Sequence, residues 1–166
     1  MYKLIHFQLC PLSRAIRIAL AERGLEVELI AEHPWEWQPT FLALNPAGEL
    51  PVLQIEDGSA LCGAYAISEY LSDEMAESQP ELGMVPLFPG NREKRAEVRR
   101  LVDWFNGKFY REVTHELLSE KVYARYSPGA DPTPNAEILR AIRANPDHQA
   151  LRRLLVWQRL YPCQRG

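Results

Sequence analysis

The first thirty or so residues limit the fold of this chain more than any other segment. Residues 2–7 form a short apolar-rich run that predicts a buried strand, and Pro11 stands where the first residue of a helix belongs. Apolar residues then recur at helical spacing as far as Gly24, and residues 26–30 alternate like a second strand. Strand, helix and strand in this order predict a βαβ unit with parallel strands and a right-handed crossover. We therefore expect an α/β fold.

A second group of elements follows the βαβ unit. A short helix is predicted around residues 41–44, and it is followed by the chain breakers of residues 45–48. Residues 52–62 predict a β-hairpin around an Asp57-Gly58 turn. An amphipathic helix with apolar residues at helical spacing then completes the group. The predicted order of elements is βαβ-α-ββα.

The periodic pattern stops between residues 79 and 90, where prolines and glycines cluster as they do in linkers. We therefore predict a first domain over residues 1–78, a linker over residues 79–90 and an all-helical domain over residues 91–166. A helix of about two dozen residues is expected from Asn91 onward. Another helix is expected later in this domain, with Thr133 as its cap.

Composition argues against several classes of function. The net charge of −3 and the isoelectric point near 5.8 leave no basic surface for a nucleic acid or an anionic membrane. Neither a run of membrane-spanning length nor a secretory leader is recognisable, so we expect a cytoplasmic protein. The three cysteines lack paired spacing and are expected to be free thiols. The four histidines are scattered, so no metal site is expected.

Five motifs that occur in a fixed order carry a resemblance to a known family. They are Cys10-Pro11-Leu12-Ser13-Arg14, Ile16-Arg17-Ile18-Ala19-Leu20, Phe41-Leu42-Ala43-Leu44-Asn45-Pro46-x-Gly48, Leu50-Pro51-Val52-Leu53 and Ala66-Ile67-x-x-Tyr70-Leu71. Together they resemble the glutathione S-transferase superfamily. The resemblance implies a thioredoxin-like domain that binds glutathione as co-substrate, an all-helical domain that holds an electrophilic substrate, and a homodimer. It also implies a transferase that conjugates glutathione to an electrophile or reduces glutathione mixed disulfides.

In this family the peptide bond at the position of Pro51 is cis, which presents the backbone of Leu50 to the cysteinyl part of glutathione. The alternative is an ordinary proline that starts a strand. The preceding segment, Asn45-Pro46-x-Gly48, favours the cis interpretation. Leu50 and Pro51 are therefore expected to be glutathione-binding residues.

Cys10 takes the position where related proteins carry a catalytic serine or cysteine, just before the first helical residue. Unpaired N–H groups and the helix dipole at that position favour a thiolate. Cys10-x-x-Ser13 also resembles the monothiol glutaredoxin motif, in which the cysteine forms a mixed disulfide with glutathione. The alternative is a small apolar residue that fills the first turn. Cys10 is thus the expected catalytic residue, and Ser13 is a second candidate.

Gly63 and Ala64 replace two residues that most of the family uses to bind glutathione. The usual pattern places an acidic or amide residue and then a serine here, and both side chains hold the γ-glutamyl end of glutathione. In this chain only backbone N–H groups remain at the start of the helix. The loss of charge-assisted hydrogen bonds worth about 1.5 to 3 kcal/mol lowers affinity by roughly one to two orders of magnitude or more per contact.

A looser resemblance links the chain with a bacterial subgroup of the family that includes a cell-division protein binding FtsZ. The residues that carry it are Cys62-Gly63-Ala64, Pro34-Trp35-Glu36 and Ala96-Glu97-Val98-Arg99-Arg100-Leu101. This resemblance implies an alternative function, a non-catalytic binding protein with a protein partner in cell division. Trp35 and Trp37 are then candidate contacts, because tryptophans anchor interfaces. Packing over the neighbouring helix is the other interpretation of these two residues.

The end of the chain departs from the family pattern. Residues 146–166 contain four arginines and one aspartate, and the further helices of family members have no counterpart there. We therefore expect a truncated helical domain that arose by a change of reading frame, with a natural short variant as the alternative. A third possible function then follows, that of an inactive remnant.

Overall fold

A computed structural model describes residues 1–78, 87–126, 129, 131 and 133–151 of the chain. Four strands form one mixed sheet in the order β2-β1-β3-β4. Their bounds are β1 Tyr2–His6, β2 Val27–Ala31, β3 Val52–Gln54 and β4 Ala60–Cys62. Strand β1 pairs parallel with β2 and antiparallel with β3, and β3 pairs antiparallel with β4. The predicted βαβ unit and the predicted hairpin are both confirmed.

Three helices accompany the sheet: α1 Pro11–Glu22, α2 Pro39–Leu44 and α3 Ala64–Ser78. Both α1 and α2 have proline at the start of the first turn, where the missing N–H is not needed for the helix. Helix α1 ends before Gly24, whose φ of 66° is a left-handed conformation that glycine adopts without a steric penalty. Element order and fold class are therefore the predicted ones, a thioredoxin-like α/β arrangement.

The core of this part of the chain lies between one face of the sheet and helices α1 and α3. The two strands β1 and β3 supply Leu4 and Leu53, which are completely buried. The helices supply the remaining large buried side chains, Ile16, Leu20, Ile67 and Leu71. Complete burial of one such side chain stabilises the fold by about 1.5 to 3 kcal/mol. The helical spacing of these residues therefore fixes which faces of α1 and α3 pack on the sheet.

The chain divides into two compact units, residues 1–106 and residues 107–166. The first unit also contains α4 Arg92–Trp104, which begins after Asn91 as predicted. A π-helix spans Phe105–His115 and is followed by α5 Glu116–Lys121, a 3₁₀ turn at Tyr123–Arg125 and α6 Ala136–Ala144. The C-terminal part of the described chain is thus helical.

The predicted cap of α6 is wrong by two residues. Asn135, and not Thr133, is the cap, because its side-chain oxygen accepts hydrogen bonds from the N–H groups of Glu137 (2.8 Å) and Ile138 (3.3 Å). Thr133 instead donates its own N–H to the side chain of Asp131, at 2.8 Å. An asparagine is at least as good a cap as threonine, so the local sequence allowed either start.

Several predictions fall partly outside the described residues. The undescribed part includes residues 79–86 of the predicted linker and residues 152–166 of the segment that departs from the family pattern. The predicted domain limits therefore stay predictions. Within the described ranges, no helix is both long and apolar enough to cross a membrane. The same part of the chain holds no group of three or more histidine, cysteine or acidic residues placed to bind a metal ion.

Candidate functional site

One edge of the sheet collects the residues that the sequence singles out. Ile5 of β1 lies opposite Val52 of β3, which in turn lies opposite Cys62 of β4. The end of β1, the start of β3 and the end of β4 therefore share one edge. Cys10 follows β1, Leu50 precedes β3 and Gly63 follows β4. The fold thus brings the predicted catalytic and glutathione-binding residues to the same side of the molecule.

The backbone groups of Leu50 are unpaired within the described part of the chain. The Leu50–Pro51 peptide bond is cis, as the family resemblance implies. The Leu50 side chain is buried, whereas neither its N–H nor its carbonyl has a hydrogen-bond partner among the described residues. The N–H of Gly63 donates to the carbonyl of Pro51 at 3.1 Å, so the start of α3 lies directly beside this segment. The segment Leu50–Pro51 and the segment Gly63–Ala64 therefore lie next to each other.

Asn45 shapes the loop that leads into this surface. Its side chain is buried; the Nδ2 group donates to the carbonyl of Glu49 at 2.7 Å, and the Oδ1 atom accepts from the N–H of Ala47 at 3.2 Å. The N–H of Gly48 donates to the Asn45 carbonyl at 2.9 Å. These bonds fix the residues just before Leu50. The sequence indicated that this segment breaks a helix and, through the family resemblance, that a cis bond follows it. The positioning role of the asparagine was not predicted.

The first turn of α3 presents backbone N–H groups. Gly63 has φ of 89°, and a Cβ placed on it would meet no atom within 4 Å, so the space beside it is empty of protein. Ala64 is buried and is the first residue of α3. The N–H groups of Ala64 and Tyr65 have no partner among the described residues, as expected in a first helical turn. They can bind a carboxylate at the positive end of the helix dipole.

Cys10 is the N-cap residue of α1, and its side chain is only 3% exposed. Ser13 is also buried, and its hydroxyl has no partner within the described part of the chain. Cys62, in contrast, is exposed, and partial burial of its Sγ atom, 3.8 Å from the Leu44 carbonyl, raises the pKa of its thiol. Of these two thiols, Cys10 is the one placed at the start of a helix.

Comparison with known proteins agrees with this arrangement. Residues 9–74 match the family model of the glutathione S-transferase N-terminal domain. FtsZ-localized protein A of Caulobacter vibrioides is 39% identical over 123 residues, which are 72% of this chain and 51% of that protein. The chain belongs to the glutathione S-transferase superfamily.

Two solved structures of the superfamily are closely similar over most of this chain. A glutathione S-transferase from Rhodospirillum rubrum is 43% identical, with a TM-score of 0.76 over 92% of this chain and 64% of that one. A glutathione S-transferase from Sinorhizobium meliloti is 38% identical, with a TM-score of 0.81 over 93% of this chain and 66% of that one. This chain spans about half the length, or less, of the curated relatives it matches first.

The two candidate contact tryptophans differ in their surroundings. Trp35 stacks on His33, with ring centroids 4.9 Å apart, and lies edge-on to Phe7 at 5.4 Å. Trp37 is 63% exposed, and a Cβ on Gly48 would lie 2.9 Å from its ring. Trp35 is thus held by its neighbours, and Trp37 rests on the Gly48 backbone with most of its surface in solvent.

An ion pair between α3 and α4 was not predicted from the sequence. Arg99 donates from Nε and Nη2 to the two carboxylate oxygens of Glu69, at 2.6 Å and 2.9 Å. The hydrogen bonds from Arg99 hold the pKa of Glu69 below its usual value. The same guanidinium lies 4.8 Å from the centre of the Phe88 ring. These two hydrogen bonds join α3, which starts at the candidate site, to α4.

Proposed function

We propose that this protein binds glutathione at the sheet edge and is a glutathione transferase, acting on an electrophile or on glutathione mixed disulfides. The observation that carries the proposal is the pair of unpaired backbone groups of Leu50, close along the sheet end to the unpaired N–H groups of the α3 first turn. Backbone groups of both kinds suit an extended, anionic tripeptide.

Two parts of glutathione, the cysteinyl residue and the γ-glutamyl carboxylate, have a place in this proposal. The N–H and carbonyl of Leu50 pair with the cysteinyl residue, as an added strand pairs with a sheet edge. The N–H groups of Ala64 and Tyr65 bind the γ-glutamyl carboxylate. Because Gly63 and Ala64 offer no polar side chain, the expected affinity is lower than in relatives that carry an acidic residue and a serine.

In this proposal Cys10 contacts the glutathione sulfur, because it takes the position where the family carries its catalytic serine or cysteine. In conjugation, Cys10 donates a hydrogen bond from its thiol, and the glutathione thiolate attacks the electrophile and displaces its leaving group. In thiol exchange, the Cys10 thiolate attacks the glutathionyl sulfur of a mixed disulfide, releases the other thiolate, and is freed by a second glutathione. Because the Cys10 side chain is only 3% exposed, conjugation needs less rearrangement and is the preferred reaction.

Calorimetric titration with reduced glutathione tests the proposal in a gain-of-function design. Ala64→Ser adds a hydroxyl beside the proposed carboxylate site, and we expect glutathione affinity to rise by about tenfold or more. Ala66→Ser is the matched control: Ala66 is in the same turn but exposed, and the affinity should stay within about twofold. If neither the wild type nor the Ala64→Ser variant binds, the proposal is wrong.

A second candidate function is favoured by Trp37 and by the similarity to FtsZ-localized protein A. A tryptophan that is 63% exposed is typical of an interface anchor, and the 39% identical relative is named for its location with FtsZ. In this function the chain is a non-catalytic partner of FtsZ in cell division. Co-sedimentation with FtsZ polymers tests it: Trp37→Ala should abolish pelleting, and Tyr126→Ala, which changes another exposed aromatic residue, should not.

Assembly and location complete the proposal. We infer a cytoplasmic homodimer from the family resemblance and from the free thiols of Cys10 and Cys62. Light scattering on the purified protein measures the mass directly. A mass near 38 kDa is expected, twice the 19.1 kDa of one chain, and a mass of one chain at micromolar concentration contradicts the dimer.

A further inference from the structure

Arg17 contacts the turn that carries Cys10. This turn, residues 7–10, connects β1 to α1, and the N–H of Cys10 closes it by donating to the carbonyl of Phe7 at 3.1 Å. Arg17 lies two helical turns further along α1, on the same side of the helix. Its side chain extends towards the start of the helix, where Nη2 donates to the carbonyl of Gln8 at 3.1 Å. The turn is thus held by a backbone hydrogen bond between its two ends and by a side-chain hydrogen bond at Gln8.

The charge of Arg17 is not neutralised by any carboxylate of the described residues. Among the described residues no carboxylate lies within ion-pair distance of its guanidinium. Its Nε atom is buried and has no hydrogen-bond partner in the same part of the chain. His6, at the end of β1, is also buried, and burial together with the Arg17 charge lowers the pKa of its imidazole. His6 is therefore neutral at pH 7, and Arg17 is the charged group at this turn.

The geometry of the turn limits the distance between this charge and Cys10. Two peptide units separate Gln8 from Cys10, so their Cα atoms are at most about 7.6 Å apart. A positive charge bound to the Gln8 carbonyl therefore acts on Cys10 and on any anion beside it. Arg17 as a residue is half-buried and its hydrogen bond to Gln8 lies at the surface, so the effect of the charge on Cys10 should weaken as the salt concentration rises.

We propose that Arg17 is a positioning residue for the thiol of Cys10. From α1, Arg17 holds the turn of residues 7–10 and keeps a positive charge beside Cys10. The inference rests on the proposed function, in which Cys10 contacts the glutathione sulfur. The charge attracts anionic sulfur to Cys10, and the hydrogen bond to Gln8 keeps the turn in the shape that presents it.

The rates at which an anionic and a neutral reagent of similar size alkylate Cys10 test this role. The ratio of the iodoacetate rate to the iodoacetamide rate reports the local potential, because exposure of the thiol affects both rates alike. Mass spectrometry of the Cys10 peptide gives each rate, and the exposed Cys62 is an internal reference. We expect Arg17→Gln to lower the ratio at Cys10 by about fivefold and Arg17→Lys to keep it within about twofold.

Arg23→Gln is the control for loss of a positive charge on α1. Arg23 follows the helix that begins after Cys10, about 20 Å of helix away and beyond the screening length at physiological salt, so the ratio at Cys10 should not change. An unchanged ratio in Arg17→Gln, or an equal fall in Arg17→Lys, overturns the inference. If Arg17→Gln does not fold, the wild type is alkylated at increasing salt concentration instead. The ratio of the iodoacetate rate to the iodoacetamide rate at Cys10 must then fall, and a ratio that does not change with salt also overturns the inference.

The alkylation experiment needs no glutathione. Failure of glutathione binding in the titration therefore refutes the proposed function and leaves the Arg17 measurement intact. An altered ratio in a protein that does not bind glutathione would confirm the charge at Cys10 without the transferase.

Discussion

Gly48 and Trp37 are in contact, and this contact gives a quantitative prediction about the loop before Leu50. A Cβ on Gly48 would lie 2.9 Å from the Trp37 ring, well inside the optimal separation of two carbons of about 3.5 to 4.0 Å. Gly48 also has φ of 67°, which disfavours any residue with a Cβ by roughly 1 kcal/mol once unfolded-chain entropy is included. Gly48→Ala therefore combines backbone strain with displacement of an aromatic ring.

A matched glycine separates these two effects. Gly24 has φ of 66°, and a Cβ on it would meet nothing within 4 Å, so Gly24→Ala measures the strain alone. We expect Gly24→Ala to lower the free energy of unfolding by about 1 kcal/mol and Gly48→Ala to lower it by about 2 kcal/mol. In a Trp37→Ala background the loss from Gly48→Ala should fall to that of Gly24→Ala.

Urea unfolding followed by circular dichroism gives all of these free energies. The double-mutant cycle between residues 37 and 48 then isolates the contact, with an expected coupling of about 1 kcal/mol. A coupling of zero, or an equal loss for the two glycine variants in the wild-type background, would refute the assignment of Trp37 to the Gly48 surface.

Three further predictions concern stability. Glu69→Gln should lower the free energy of unfolding by about 1 kcal/mol at pH 7, a value reduced for the partial exposure of Arg99. Because the pKa of Glu69 is lowered in the folded state, this loss should be constant above pH 4.5 and shrink as the pH falls below it. Urea unfolding at a series of pH values measures it. Asn45→Ala should lower the free energy of unfolding by about 2 kcal/mol in the same assay, because it removes both hydrogen bonds that this buried side chain makes to the loop backbone. A loss under about 0.5 kcal/mol contradicts the loop assignment. Asn135→Ala should lower the free energy of unfolding by about 1 kcal/mol, and Thr133→Ala should lower it clearly less. The opposite order would mean that Thr133 is the cap of α6.

The fold was largely predictable because its signals are local. Helical spacing, the prolines that start helices and the Asp57-Gly58 turn each act within a few residues, and they gave the element order correctly. Predicted strand ends differ from the observed ones by about one residue, since the last residue of a strand depends on its partner and not on its own type. The cis bond at Pro51 came from the family resemblance and not from spacing.

The parts that sequence reasoning missed depend on contacts between distant residues. Arg99 and Glu69 are thirty residues apart, and each looks like an ordinary charged residue on an exposed helix face. Arg17 also looks like an ordinary charged residue on a helix face, although it reaches back to the turn before Cys10. The π-helix of Phe105–His115 also has no distinct sequence signal, because its apolar residues fit ordinary helical spacing over so short a range.

Backbone recognition of glutathione is the central claim, and amide resonances in a nitrogen-15 NMR titration test it most directly. On addition of reduced glutathione, the N–H signals of Leu50, Ala64 and Tyr65 should shift together with one apparent dissociation constant. The N–H signals of Glu28 and Leu29 on strand β2, at the far side of the sheet, should stay in place. A titration in which the Leu50 and Ala64 signals do not move while glutathione is in large excess would contradict the account.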